Sequence, residues 1–191
     1  MLRRAKDLAK SPQKQGSRLA QRSVHYEAAF EDFLRSRAAP YVAVDEAKKA
    51  LFGRASLKSF DFIVYSEAGP NLLVDVKGRK FPDAVPGARR GGQRAWENWV
   101  TRDDVESLIQ WQGVFGVEFT PILTFAYWLQ GPPERGPFED VHVYRQKHYA
   151  FMAVSLERYL AIAKPRSRKW QTLSAPSATF AREARPFTEW M

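Results

Sequence analysis

The 191-residue chain contains no cysteine. That excludes disulfides, thiolate metal centres and a thiol nucleophile, and it fits a cytoplasmic setting. No apolar run approaches the roughly 20 residues needed to span a bilayer, so the chain reads as soluble and without a membrane partner. Behind the charged start, Met1-Leu2-Arg3-Arg4-Ala5-Lys6, there is no hydrophobic stretch, which argues against a secretory signal. A glycine-rich phosphate loop and a serine elbow are both missing, and His25, His142 and His148 lack metal-ligand spacing. The chemistry has to come from acids and lysines.

What is present is a core-forming composition, 45% hydrophobic with 6 Trp and 13 Phe, in a chain of a size for one domain with arms. The net charge of +9 is unevenly spread. Residues 1–22 carry seven basic groups against one acidic, and residues 78–102 and 164–191 each carry six against two. The stretches between them are mildly acidic. Three basic segments around an acidic body are the footprint expected for a polyanion partner. The division read from this is a disordered basic arm over 1–22, a domain over 23–163 with a basic loop at 78–100, and a basic, proline-containing tail over 164–191.

Along the chain, Tyr26, Phe30, Phe33 and Leu34 recur at helical spacing behind Ser23 as a cap, giving a helix over 24–37. Tyr41–Val44 is a short strand. Residues 45–57 are ambiguous, with a helical turn around 47–51. Ser59–Tyr65 and Leu72–Lys77 are strands joined through a turn at 67–71, the second ended by Gly78. A glycine- and proline-rich loop follows. A second helix is predicted over 101–115, with Thr101 and Asp104 as a capping box and Val105, Leu108, Ile109, Trp111 and Phe115 facing inward. Thr120–Leu129 reads as a buried strand, followed by strands at 141–144 and 149–154 and a short helix capped by Ser155. The fold class is α/β, a central mixed sheet with helices on its faces, with appended strands and a C-terminal helix.

The most informative feature is Asp75-Val76-Lys77 at the end of an apolar run, with Asp61 fourteen residues earlier in another. Residues two apart on a strand share a face, so Asp75 and Lys77 point the same way. If the two strands pair antiparallel, Asp61 comes beside Asp75. Burying such carboxylates is costly without partners, and Mg²⁺ binds through one or two carboxylates plus water and phosphate. An ordinary Asp–Lys ion pair is the plainer reading of the triplet alone. On the first helix, Glu27 lies about 75° from the centre of the apolar stripe, the acid best placed to reach a site beside the core. Arg79, Lys80, Arg89, Arg90 and Arg94 are candidate phosphate contacts, and Trp96 and Trp99 either stack on bases or anchor a loop.

These residues resemble the motifs of the PD-(D/E)XK nuclease superfamily, whose restriction-endonuclease-like core runs αβββαβ. The resemblance spans about residues 24–130. Asp61 matches the first motif acid, Asp75 the second, Lys77 the lysine, and Glu27 the helix-borne acid of many members. Phe60 stands at the nominal proline. The layout around the second helix is similar to archaeal Holliday-junction resolvases, with Asp104 where those helices often begin with glutamine. His25-Tyr26-Glu27-Ala28-Ala29-Phe30-Glu31 resembles the signature of the uncharacterised HYExAFE family. The resemblance implies an endonuclease that hydrolyses DNA with Mg²⁺ or Mn²⁺, acting on branched or junction DNA in repair. Asp61, Asp75 and Glu27 would hold the metal and Lys77 would support the water, in a homodimer; RNA is a further candidate substrate. The competing expectation is a module that keeps the fold and binds nucleic acid without cutting it.

Overall fold

The structure, a computed structural model, describes residues 13–44, 51–52, 55–56, 58–67, 69–83 and 96–191; for residues 13–24, 51, 52, 55 and 56 only the backbone is described. The first helix, α1 (Gln13–Ser36), is followed by β1 (Tyr41–Ala43) and a small hairpin of β2 (Leu51–Phe52) and β3 (Ala55–Ser56). Next come β4 (Phe62–Val64), the long β5 (Asn71–Phe81), β6 (Val100–Thr101), α2 (Arg102–Phe115) and the long β7 (Phe119–Leu129). The remainder comprises β8 (His142–Tyr144), β9 (Lys147–Ser155), α3 (Leu156–Ile162), β10 (Lys164–Ser167), β11 (Thr172–Ser174), α4 (Ser177–Glu183) and β12 (Arg185–Pro186).

The main sheet has the order β1-β4-β5-β7-β9-β12, with β8 also on β9. Strands β1, β4 and β5 form an antiparallel meander, and α2 carries the chain across to β7, which runs parallel to β5 over its whole length. This is the αβββαβ order of a restriction-endonuclease-like core, a mixed sheet flanked by helices. Alternation along the strands divides the interior in two. Leu72, Val74, Val76, Ile122 and Ala126 pack under Tyr26, Phe30, Phe33 and Leu34 of α1. Leu73, Leu123, Phe125 and Tyr127 face Val105 and Leu108 of α2, Leu156 and Tyr159 of α3, and Phe180 of α4. Burial of these stripes is what fixes the helices on the sheet.

The structure departs from the sequence reading in four places. Helix α1 begins at Gln13, so Ser23 is an interior residue and part of the expected arm is helical; residues 1–12 lie outside the described residues. Gly78 does not end β5, because the parallel ladder with β7 continues to Phe81 opposite Leu129. Glycine is needed there for close approach: a Cβ on Gly78 would run into the ring of Tyr26. Ile109 is 50% exposed on α2, since α2 meets the sheet mainly through Val105 and Leu108. Finally, residues 164–191 are built into the molecule: β10 and β11 form a second sheet with β6, and Phe180 and Phe187 are fully buried. The ambiguous segment at 45–50 and most of the basic loop, 84–95, lie outside the described residues.

Candidate functional site

Strand β4 pairs only with Leu72–Val74 of β5. From Asp75 onward that edge of β5 has no strand partner among the described residues, while its other edge stays on β7. Asp61 immediately precedes β4, and continuing the register by one residue sets it opposite Asp75. Its backbone N–H still donates to the Val74 carbonyl at 2.9 Å. Its side chain then replaces a ladder acceptor: Asp61 Oδ2 takes the Val76 N–H at 2.5 Å. Both acids are almost fully enclosed, 6% exposed for Asp61 and 5% for Asp75.

Asp75, Lys77 and Arg79 alternate onto the α2 side of the sheet. Lys77 Nζ lies 2.7 Å from Asp75 Oδ2 and 3.1 Å from Asp104 Oδ1. The contact with Asp75 is an ion pair without the alignment of a hydrogen bond, and Asp75 Oδ2 has no hydrogen-bond partner. Asp104 is held by the predicted capping box: Thr101 Oγ1 accepts from the Asp104 N–H at 3.1 Å, and Asp104 Oδ2 accepts from the Thr101 N–H at 2.8 Å. Its other oxygen also takes Lys58. One carboxylate thus caps α2 and anchors the lysine of the neighbouring strand.

The electrostatics separate these acids. Burial, followed by the negative Asp75, pushes Asp61 well above the usual carboxylate range against the Val76 hydrogen bond, and Glu27 adds to the rise. Burial also raises Asp75, with Lys77 opposing it. At Asp104 burial again favours the neutral form, but Lys77, Lys58 and the Thr101 hydrogen bond outweigh it and hold that carboxyl well below its ordinary value. Lys77 moves the other way: burial favours loss of its proton, yet Asp75 and Asp104 together keep it firmly protonated. The cluster therefore sets the Lys77 ammonium between two acids, with Asp104 favoured as the carboxylate and Asp61 and Asp75 pushed toward the neutral form.

A cavity of about 730 Å³ wraps this free edge of β5. Glu27, Asp61, Asp75 and Lys77 all line it, so the four predicted catalytic residues share one space. Among the described residues no group of three or more His, Asp or Glu side chains is placed to hold a metal, so the predicted three-acid set does not close on one point. Asp61 and Asp75 do fit a hard divalent cation: two adjacent carboxyl groups on one cavity wall, with room for water and phosphate. Glu27 and Asp61 also border a smaller cavity of about 220 Å³ toward Glu31.

The expected phosphate contacts divide. Arg79 is 8% exposed and lines the cavity instead of the outer surface; its guanidinium lies 4.2 Å from the Trp99 ring centre and donates to the carbonyls of Gly78 and Trp99. Lys80 is exposed, beside Trp128 in the next strand. Arg89, Arg90 and Arg94 lie outside the described residues. Trp96 is a loop anchor, packed among Phe81, Tyr127, Phe138 and Phe180, whereas Trp99 lines the cavity. Sequence reading missed Lys58, Asp104 as a partner of Lys77, and His25 and Trp128 as cavity walls. Only Asp104 carried a signal, its place in the capping box.

No protein-family model matches the chain, and none of the curated proteins does. Among solved structures, the chain is similar to Hjc, a Holliday junction resolvase from the archaeal hyperthermophile Archaeoglobus fulgidus. The two are 13% identical, the match covers 87% of this chain and 98% of the resolvase, and the TM-score is 0.49. A likeness of that size carries no argument of its own, and the fold assignment stands on the strand order and register above.

Proposed function

We propose that the chain is a Mg²⁺-dependent endonuclease that hydrolyses DNA phosphodiester bonds at the free edge of β5. The observation that carries the proposal is the meeting of Asp61, Asp75 and Lys77 in one open-mouthed cavity, with Asp75 Oδ2 buried beside the Lys77 ammonium. Asp61 and Asp75 would hold the metal, which supplies Lewis-acid polarisation of the phosphoryl group and a more acidic bound water. Lys77, kept protonated by two carboxylates, is a donor and not a base. It orients the attacking water and meets the negative charge that develops on the phosphoryl oxygens. Asp104 holds that ammonium against the start of α2, so its direction is set before substrate arrives. Glu27 faces the same space from α1.

Incubation with plasmid, nicked and branched DNA in Mg²⁺ or Mn²⁺ tests this reading. Cleavage should require the metal, and Asp75→Asn and Lys77→Ala should each lower it by roughly 100-fold or more; undiminished cutting by either variant would sink the assignment. Preference for branched DNA and action as a homodimer belong to the same proposal, read from the substrate panel and from the mass in solution. RNA offered in parallel separates the two nucleic acids. The failure of three acids to close on one point favours a second reading, a binding module that does not cut. Calorimetric titration separates the two, since that module takes up no divalent ion with or without DNA.

A further inference from the structure

The cavity reaches two half-buried tryptophans on opposite faces of the sheet. Trp99 stands on the α2 side with Arg79. Trp128 stands on the α1 side, in the β7 position registered with Lys80 of β5. Each ring is attended by two cations: Arg79 at 4.2 Å and Arg166 at 5.8 Å for Trp99, Lys147 at 4.3 Å and Lys80 at 5.1 Å for Trp128. Trp128 stands on β7, at the bonded edge of β5, and one cavity joins both rings to the acids of the free edge. Aromatic faces interleaved with cations are the chemistry that grips single-stranded nucleic acid, the rings taking bases and the cations taking the phosphates between them.

Arg79 supplies an independent observation. It is more than nine-tenths buried, its Nε has no partner, and no carboxylate lies within ion-pair distance of its guanidinium among the described residues. Its two other contacts are neutral carbonyls. A buried charge with no direct ion pair is costly, since Glu97 and Asp104 act on it only from beyond contact distance, and a guanidinium fork matches a phosphate. Lys80 and Lys147 likewise have no carboxylate partner among the described residues, whereas Arg166 stands 3.7 Å from Glu97, an acid of the cavity wall.

We infer that the cavity binds a locally unpaired nucleic-acid strand, with a base stacked on Trp128 and the backbone led across the edge of β5 to a phosphate at Arg79. Inside a duplex a base offers its faces only to its neighbours in the stack. Rings set in the side walls of a cavity can be reached only by a base that has left that stack. The favoured substrate is therefore a flap, gap, loop or frayed end. This inference rests on the reading of the cavity as a nucleic-acid site and adds to it the state of the strand.

Fluorescence anisotropy in EDTA, where no cleavage occurs, tests it with short labelled oligonucleotides: a single strand, its blunt duplex, and the same single strand made abasic throughout. Wild type should bind the intact single strand roughly tenfold or more tighter than either of the other two. Trp128→Ala should lose a similar factor on the intact strand and little on the abasic one. Lys147→Ala should reduce the salt slope for the single strand by about 0.7. Deoxyribose and ribose strands are run side by side, and the effect in either one supports the inference. Duplex binding as tight as single-strand binding, or abasic strands bound as well as intact ones, overturns it. The abasic comparison uses wild-type protein, so a poorly folded Trp128 variant leaves the test intact. Metal-dependent cutting together with no abasic effect would sink this inference and keep the nuclease; an abasic effect without cutting would do the reverse.

Discussion

Strand β5 has two halves that differ in what holds them. From Leu72 to Val74 it has a neighbour on each edge and a helix above and below, and every side chain is apolar and buried. From Asp75 to Phe81 it keeps β7 but loses β4, and the row on the α2 side becomes Asp75, Lys77, Arg79. In the first half the backbone ladder satisfies the polar groups, so the side chains are free to be hydrocarbon. In the second, a carboxylate of Asp61 substitutes for the missing strand, and charge balance takes over from hydrogen-bond pairing. One strand thus serves as core at one end and as a charged, cavity-lining edge at the other, and the divide falls where β4 stops.

Substitutions should fall on either side of that divide. In the paired half, Leu72→Ala should cost roughly 2–5 kcal/mol of unfolding free energy, as a cavity in a fully packed core does. It should leave cleavage per folded molecule near wild type, measured by chemical denaturation alongside single-turnover cutting. On the charged side, Asp104→Asn should cost about 3 kcal/mol near neutral pH by leaving Lys77 and Lys58 without their shared anion. Because the folded-state Asp104 carboxyl lies below its usual range, its contribution is present above about pH 4 and fades as the pH falls through the depressed value. Wild type and variant should therefore converge in acid, while loss of the Asp104 charge also relieves part of the upward push on Asp75. A gap that widened in acid would contradict the assigned ion cluster. The smallest effect is expected for Gly78→Ala, on the order of 1–3 kcal/mol, from forcing Tyr26 and α1 off β5. A thermal melt showing no loss would mean that the contact is not tight.

The parts of this architecture that depend on near neighbours were legible in the sequence. The stripe of Tyr26, Phe30, Phe33 and Leu34, the Thr101–Asp104 box and the two-residue alternation of Asp75 and Lys77 are all local patterns, and each is found in the fold. Asp61 could be set beside Asp75 because one short turn joins their strands. What stayed hidden was non-local. Trp128 looked like one more apolar residue in a buried run, since nothing in its own segment says that Lys80 lies alongside or that Lys147 reaches over. Gly78 looked like a strand end, since its need for space comes from a helix fifty residues away. The last segment showed no periodicity because it consists of short pieces held to distant elements through strand pairing and a few buried residues such as Phe180 and Phe187.

That last segment has a consequence for when the molecule becomes whole. Thr172 and Leu173 pair with Thr101 and Val100, the Arg102 N–H donates to the Gln171 carbonyl, and Asn98 bonds both the N–H and the carbonyl of Ala175. These contacts brace the residues just ahead of α2, and so the cap that carries Asp104. A ribosome delivers Asp61, Asp75 and Lys77 long before it delivers residues 171–175. Until that late segment closes, the lysine lacks the framework behind its anchor, so the nascent chain carries the acids and the lysine of the cavity without their setting.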